Sequence, residues 1–183
     1  DVVSVDRDGQ YLCARTTDGS EYGAKAALLA TGARYRRLGI PGEDDLIGVN
    51  VHFCATCDGA LYKGKKVLVI GGGNSGFEEG LFLTKFATRV DIVEFSPQAK
   101  ASKILQDKVA EKENMSVTFN HAIKELRVKN GKLDAVIAED RATGERKEWQ
   151  YDGVFMFIGF FPNSEFAKGK ADVDQWGAVL TDK

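Results

Sequence analysis

Two cysteines, Cys54 and Cys57, are separated by two residues in "HFCATCDG", and the glycine-rich "GGGNSG" opens 71 − 57 = 14 positions after the second. A C-x-x-C pair can cycle between dithiol and disulfide with little backbone movement. Such exchange depends on a lowered thiol pKa and on a proton for the leaving thiolate. Asp58, immediately after the pair, is placed to be that acid/base group; the plainer reading is a turn aspartate before Gly59. A structural zinc site would need four ligands, and the other candidates are only Cys13, His52 and His121. A second C-x-x-C or an H-x-x-x-H is missing, so no metal is expected. Cys13, within "YLCARTT", reads as a half-buried strand filler.

Gly71, Gly73 and Gly76 have G-x-G-x-x-G spacing between an apolar strand, "KVLVI", and a helical stretch, "FEEGLFLTKFA". In that context the first glycine permits the tight turn and the second lets a pyrophosphate approach the backbone, while the third allows close helix–strand packing. The free N–H groups and positive dipole end of the helix then face an anion. Asn74 and Ser75 lie in the same turn. Glu78 and Glu79 follow in the first helical turn, where they either complement the dipole or touch the nicotinamide half of a cofactor. The next strand ends at Glu94, 94 − 71 = 23 positions after the first glycine, near the ~20 expected for a ribose-reading acid. A carboxylate there accepts from ribose hydroxyls and repels a 2′-phosphate, and "EFSPQAK" has no arginine to attract one. NADH is therefore expected over NADPH. The alternative is that Glu94 is only a solvated strand-end charge, with Lys100 and Lys103 available to a phosphate.

These residues need a frame. "KVLVI", the glycine turn, the helix and "RVDIVEF" make a βαβ unit. A charged helical stretch, "KASKILQDKVAEKEN", follows, then strands with turns at Asn130-Gly131 and Thr143-Gly144, and the apolar "YDGVFMFIG". Upstream, Asp8-Gly9 and Asp18-Gly19 punctuate a β-meander that feeds a near-continuous apolar strand ending at Gly32. "GIPGEDD" is the best linker. The expected class is α/β: a Rossmann-like nucleotide-binding domain with a β-meander. Apolar residues at 43% and charged residues at 28% exclude a disordered or fibrous chain. A net charge of −2 gives no electrostatic reason to expect nucleic acid or an anionic membrane. The apolar runs are too short to span a bilayer. Three cysteines, an odd count, argue against a secreted disulfide framework. A cytoplasmic setting is the expectation.

"CATCDGALYKGKKVLVIGGGNSGFEEGLFL" closely resembles the low-molecular-weight thioredoxin reductases, with "LLATGARYRRLGIPGE" upstream and "VFMFIGFFPNS" downstream extending the likeness over nearly the whole chain. The resemblance implies an FAD domain interrupted by a nucleotide-binding domain. On that basis residues 1–40 and 160–183 are inner flanks of an incomplete FAD domain, and 41–159 is the NAD(P)-binding domain carrying the redox centre. The chain reads as an excised middle portion, since the family's first FAD fingerprint and its C-terminal G-D segment are missing. Cys54 would be the interchange thiol, Cys57 the thiol nearer the flavin and Asp58 the proton donor. The cofactor-binding set is Gly71, Gly73, Asn74, Ser75, Gly76, Glu79, Glu94, Lys100 and Gly159.

One segment departs from that family. Where the NADPH-dependent members carry H-R-R-x-x-x-R, Glu94, Phe95 and Ser96 stand here, and only Lys100 keeps a cation. "VEFSPQAKASKILQDK" is instead similar to the flavoprotein subunit of alkyl hydroperoxide reductase, an NADH-using relative. The implied function is electron transfer from NAD(P)H through FAD and the C-x-x-C disulfide to thioredoxin or a peroxiredoxin system, in a homodimeric parent. The competing expectation is a non-catalytic NADH-binding redox sensor.

Overall fold

The computed structural model describes residues 1–181, so the last two positions of the 160–183 flank lie outside the described residues. The chain forms two compact units, Arg37–Ile158 and a second made of Asp1–Arg36 with the segment from Gly159 onward.

The second unit opens with β1 (Val2–Asp8), β2 (Tyr11–Thr16) and β3 (Glu21–Ala24), an antiparallel sheet in that order. Its turns fall at the expected Asp-Gly pairs, where Gly9 and Gly19 take positive φ. The apolar strand expected to end at Gly32 does not form. Ala26–Gly32 has no regular structure, and Leu28 is 92% exposed. An apolar run becomes a buried strand only where neighbours satisfy its backbone, and among the described residues no strand pairs with it. Pairing resumes at β4 (Ala33–Tyr35).

Arg37–Ile158 contains α1 (Glu43–Leu46), β5 (Val51–His52), α2 (Ala55–Asp58) continued by a 3-10 turn (Gly59–Tyr62), β6 (Lys66–Ile70), α3 (Asn74–Leu83), β7 (Arg89–Val93), α4 (Lys103–Ala110), β8 (Met115–Thr118), β9 (His121–Lys129), β10 (Lys132–Asp140), β11 (Arg146–Trp149) and β12 (Gly153–Met156). Five strands make a parallel sheet in the order β5-β12-β6-β7-β8. Val67, Leu68, Val69 and Ile70 of β6 are all buried, as a parallel strand covered on both faces requires. Phe77 and Leu83 of α3 and Val109 of α4 pack with Val67, Val69, Val90 and Ile92 on one face. Ile123, Leu126, Val136 and Ala138 of the antiparallel β9–β10–β11 sheet pack with Leu68, Ile70, Val93, Val154 and Met156 on the other. Each fully buried large side chain of these clusters contributes about 1.5–3 kcal/mol. The β9–β10 hairpin closes through Asn130 and Gly131, both at positive φ, which is the twist-compatible two-residue turn that Asn-Gly favours.

Past Ile158 the chain returns to the second unit. There β13 (Phe160–Pro162) pairs antiparallel with β4, and the Tyr35 and Phe160 rings lie 5.1 Å apart. Gly159, at φ +100°, belongs to this unit, where its carbonyl accepts from the Arg36 N–H at 3.0 Å. Among the described residues no helix is long and apolar enough to cross a membrane.

Candidate redox and nucleotide site

Cys54 caps the single helical turn α2 from extended backbone, and its Sγ accepts from the Cys57 N–H at 3.1 Å. The two sulfurs are joined as a disulfide, with Cα atoms 5.3 Å apart. Thr56 Oγ1 lies 3.3 Å from Cys54 Sγ. Cys57 is exposed and Cys54 partly so. Both are therefore reachable by another molecule. Cys13 remains a free, half-buried thiol on β2. The turn is docked by Glu79 of α3, whose Oε2 accepts from the Ala55 N–H at 3.1 Å. The carboxylate read from the sequence as a dipole complement or cofactor contact thus ties the cysteine turn to the glycine-turn helix.

Asp58 ends α2 with its side chain 36% exposed, and its Oδ2 lies 3.1 Å from Nδ1 of His52. His52 is 4% exposed. Its Nε2 lies 2.7 Å from the Tyr62 hydroxyl, and its ring packs 5.2 Å from Phe155. Tyr62 fills space that Gly153 leaves: a Cβ there would come within 2.1 Å of the tyrosine ring. Burial pushes the Tyr62 phenol up to about 12, with Asp58 and Asp152 reinforcing the shift by their charge. The sequence showed His52 only as a leftover zinc candidate and did not signal Tyr62. The available clue was a histidine two residues before a C-x-x-C.

In the glycine turn each residue has a separate geometric job. Gly71 takes φ +123°, and a Cβ on it would meet the Phe157 carbonyl oxygen at 2.3 Å; one on Gly76 would meet the Gly71 oxygen at 1.9 Å. These two hold helix and strand together. Gly73, the residue before α3, has no atom within 4 Å of its Cβ position among the described residues, and no side chain caps the helix there. The first-turn N–H groups are thereby open to an anion, so the turn fits a pyrophosphate. Ser75 is exposed beside it. Asn74 Oδ1 accepts from the Ser102 N–H at 2.8 Å, and the Lys100 and Ala101 N–H groups donate to the Gly72 carbonyl at 2.9 and 3.0 Å. Lys100 therefore braces the turn by its backbone and leaves its side chain exposed. Lys103 is engaged with Asp107 at 2.6 Å.

Glu94 is 7% exposed. Its Oε2 accepts from the Gly72 N–H at 2.5 Å and its Oε1 from the Ser96 N–H at 2.8 Å. This is a built-in carboxylate of the glycine turn, not a solvated charge, and each oxygen retains acceptor capacity. Next to it the structure brings a cation that the local sequence lacks. Arg141, from the β10–β11 connection, stacks its guanidinium 3.6 Å from the centre of the Phe95 ring. Its Nη1 donates to the Phe95 carbonyl at 2.9 Å and to Asn120 Oδ1 at 3.3 Å. No local motif signals this contact, since 46 residues separate Arg141 from Phe95.

The cysteine turn, Asp58, Glu79, the glycine turn, Glu94 and Lys100 all belong to Arg37–Ile158, whereas Gly159 belongs to the other unit. Residues 1–183 match the pyridine nucleotide-disulphide oxidoreductase family. The chain is 42% identical over 174 residues to a thioredoxin reductase of Bacillus subtilis, covering 95% of this chain and 55% of that protein. It superposes on the crystal structure of Lactococcus lactis thioredoxin reductase in its FR conformation with a TM-score of 0.87 at 33% identity, covering 100% of this chain and 60% of that one. For the thioredoxin reductase of Streptococcus pyogenes the TM-score is 0.86 at 36% identity, covering 100% and 59%. The chain thus spans a little over half the length of the relatives it matches. With the strand–glycine–helix turn and the two-cysteine turn both inside the matched region, the chain belongs to the pyridine nucleotide-disulphide oxidoreductase family.

Proposed function

We propose that this chain is the electron-relay portion of a thioredoxin reductase-like enzyme, in which a reduced pyridine nucleotide drives reduction of a partner protein's disulfide through Cys54 and Cys57. The observation that carries this reading is the docking of the cysteine turn onto the nucleotide-turn helix through Glu79 and the Ala55 N–H at 3.1 Å. It makes the redox pair and the anion-binding turn parts of one body. Relatives named thioredoxin reductase support the substrate class.

In this reading Gly73, Asn74 and Ser75 at the start of α3 bind the pyrophosphate, with Gly71 and Gly76 fixing the turn's shape. Glu94, oriented by the Gly72 and Ser96 N–H groups, accepts from the adenosine ribose and favours NADH over NADPH. Lys100 supplies an exposed cation nearby. When bound in the full-length protein, FAD together with the nicotinamide supplies an electron pair to the disulfide. Among its described residues the unit holding Asp1–Arg36 has no α-helix, and we assign it no FAD contact and no step. The likeness to the thioredoxin reductases supports the same domain order, with the central domain inserted between flanks of an FAD domain, and a homodimeric full-length protein. The partner is a thioredoxin-type disulfide, and a peroxiredoxin system is the second candidate. Cys54 meets the partner, Cys57 resolves the mixed disulfide, and Asp58 carries the proton.

The test is spectroscopic. Flavin absorbance of the full-length protein should be bleached by NADH under argon and return on adding oxidised thioredoxin. In a Cys54→Ser, Cys57→Ser variant it should be bleached but not return with thioredoxin. A full-length protein without bound flavin, or thioredoxin-driven return in the double variant, would overturn the reading.

A further inference from the structure

His52 is a buried histidine with both ring nitrogens engaged, Nδ1 toward Asp58 Oδ2 at 3.1 Å and Nε2 toward the Tyr62 hydroxyl at 2.7 Å. An ionised carboxylate only accepts. With Asp58 ionised and the ring neutral, Nδ1 carries the proton and donates to Asp58, and the Tyr62 O–H donates to Nε2. With Asp58 protonated, the carboxyl O–H donates to Nδ1, and the ring proton sits on Nε2 and donates to the Tyr62 oxygen. The Tyr62 O–H then turns to the Val49 carbonyl, which lies 3.5 Å away. Every polar hydrogen has an acceptor in both arrangements.

We propose that His52 is a positioning residue for Asp58, holding that carboxyl by one hydrogen bond in both its ionised and its protonated form by exchanging ring tautomers against Tyr62. The proposal rests on the reading that Cys54 and Cys57 exchange with a partner disulfide while Asp58 shuttles the proton. In that exchange the Cys54 thiol gives its proton to Asp58. Its sulfur then bonds to one partner sulfur as the partner S–S bond breaks, and the leaving sulfur takes the proton back from Asp58. Cys57 Sγ next attacks Cys54 Sγ, the mixed disulfide breaks, and the second partner sulfur leaves with the proton from Cys57. Two thiols are oxidised to one disulfide, one disulfide is reduced to two thiols, and no proton is left over. Asp58 changes protonation twice in each cycle, so a support that serves both forms keeps it in place throughout.

The charged and titratable groups around this relay are few. Asp58 and Asp152 act on Tyr62 by charge, and Lys65 Nζ lies 5.5 Å from the Tyr62 ring centre. Glu79 is committed to the Ala55 N–H. Burial keeps the Tyr62 phenol protonated up to about 12, so the hydroxyl stays able to donate or accept at working pH.

The test compares two disulfides that differ in their need for a proton. The chain, reduced with a phosphine and desalted under argon, is mixed with glutathione disulfide or with the aromatic disulfide of thionitrobenzoate, from about pH 5.5 to about pH 9. The glutathione thiolate is an ordinary leaving group that gains from protonation, whereas thionitrobenzoate leaves readily as the thiolate. His52→Leu should slow the glutathione reaction about tenfold, a fraction of what a general acid/base supplies, and shift its pH profile. The aromatic reaction should stay within about twofold. His52→Asn, which keeps an amide toward Asp58, should recover most of the rate, and His52→Gln, whose amide is carried toward Tyr62, should not. Tyr62→Phe should give a smaller selective slowing, about threefold. An unchanged glutathione rate and pH profile in His52→Leu would overturn the proposal, as would equal slowing of both disulfides. If His52→Leu does not fold, equal rates for the Asn and Gln variants overturn it. A wild-type dithiol that reduces neither disulfide, or Cys54→Ser and Cys57→Ser variants that react as wild type does, would instead overturn the exchange reading beneath it.

Discussion

In the proposed function Glu94 sets the preference for NADH, and its surroundings make that preference measurable. Its carboxylate is buried and fixed by two backbone donors, so a 2′-phosphate brought beside it meets a charge that cannot swing away. Calorimetric titration of this chain should show NADH binding more tightly than NADPH by at least about tenfold, equivalent to about 1.4 kcal/mol. Glu94→Arg should reverse the order. Arg141, a cation held over Phe95, is expected to act in the opposite sense. Arg141→Ala should weaken NADPH binding about threefold more than NADH binding. Equal affinities in the wild-type chain would contradict this account. Glu94 was legible in the sequence because its distance from Gly71 is set by the length of one helix and one strand. Arg141 was not, since only the folding of the meander against the sheet brings it to Phe95. His52 and Tyr62 escaped notice for the same reason: their meaning lies in a contact across elements, not in spacing along one.

At the scale of elements the glycine turn separates packing from binding. Gly76→Ala should destabilise the chain by about 1–3 kcal/mol, because the new methyl would meet the Gly71 carbonyl oxygen at 1.9 Å, a backbone atom that cannot rotate away. Gly73→Ala should leave the melting temperature nearly unchanged and weaken nucleotide binding about tenfold or more, since its methyl enters open space where the pyrophosphate is expected. Loss of fold in Gly73→Ala, or full affinity retained, would count against the turn as the nucleotide site. Tyr62 tests the 3-10 turn after α2. Its phenol pKa is raised from 10.0 to about 12, mainly by burial, so the folded state binds this proton more tightly than the unfolded state does. That contribution to stability is complete below pH 10.0 and is lost as pH rises toward about 12. Denaturant melts should therefore show a smaller fall in stability across this window for Tyr62→Phe than for the wild type. A parallel fall in both would contradict the burial argument. The β6–α3–β7 unit was readable because its hydrophobic period, turn glycines and helix agree. The Ala26–Gly32 run was not, because apolar composition alone cannot report whether a partner strand is present.

For the whole molecule, the division between Arg37–Ile158 and the paired flanks carries a folding prediction. Arg37–Ile158 owns both apolar clusters that line its parallel sheet. Expressed alone, it should unfold in one cooperative transition and bind NADH within about threefold of the full chain. A fragment lacking a cooperative transition would show that the flanks are needed for its core. Pro41-Gly42, read as the linker, lies inside Arg37–Ile158, where the Pro41 carbonyl accepts from the Leu126 N–H at 2.9 Å: a proline and a glycine mark a break in pattern, not the edge of a core. The resemblance put the second boundary at 159/160, one residue from the division between Ile158 and Gly159, although "FIGFFP" itself stays apolar across it. In the proposed function electrons from the nicotinamide nucleotide leave through Cys54 and Cys57. This route is tested most directly by NADH oxidation in the full-length, flavin-loaded protein with oxidised thioredoxin, comparing the wild type with Cys57→Ser and following thioredoxin thiols in the same sample. The wild type should form two thioredoxin thiols per NADH, and Cys57→Ser, whose remaining thiol cannot resolve the mixed disulfide, should lose about a thousandfold or more of that rate. Thioredoxin reduction at the wild-type rate in Cys57→Ser would contradict this route.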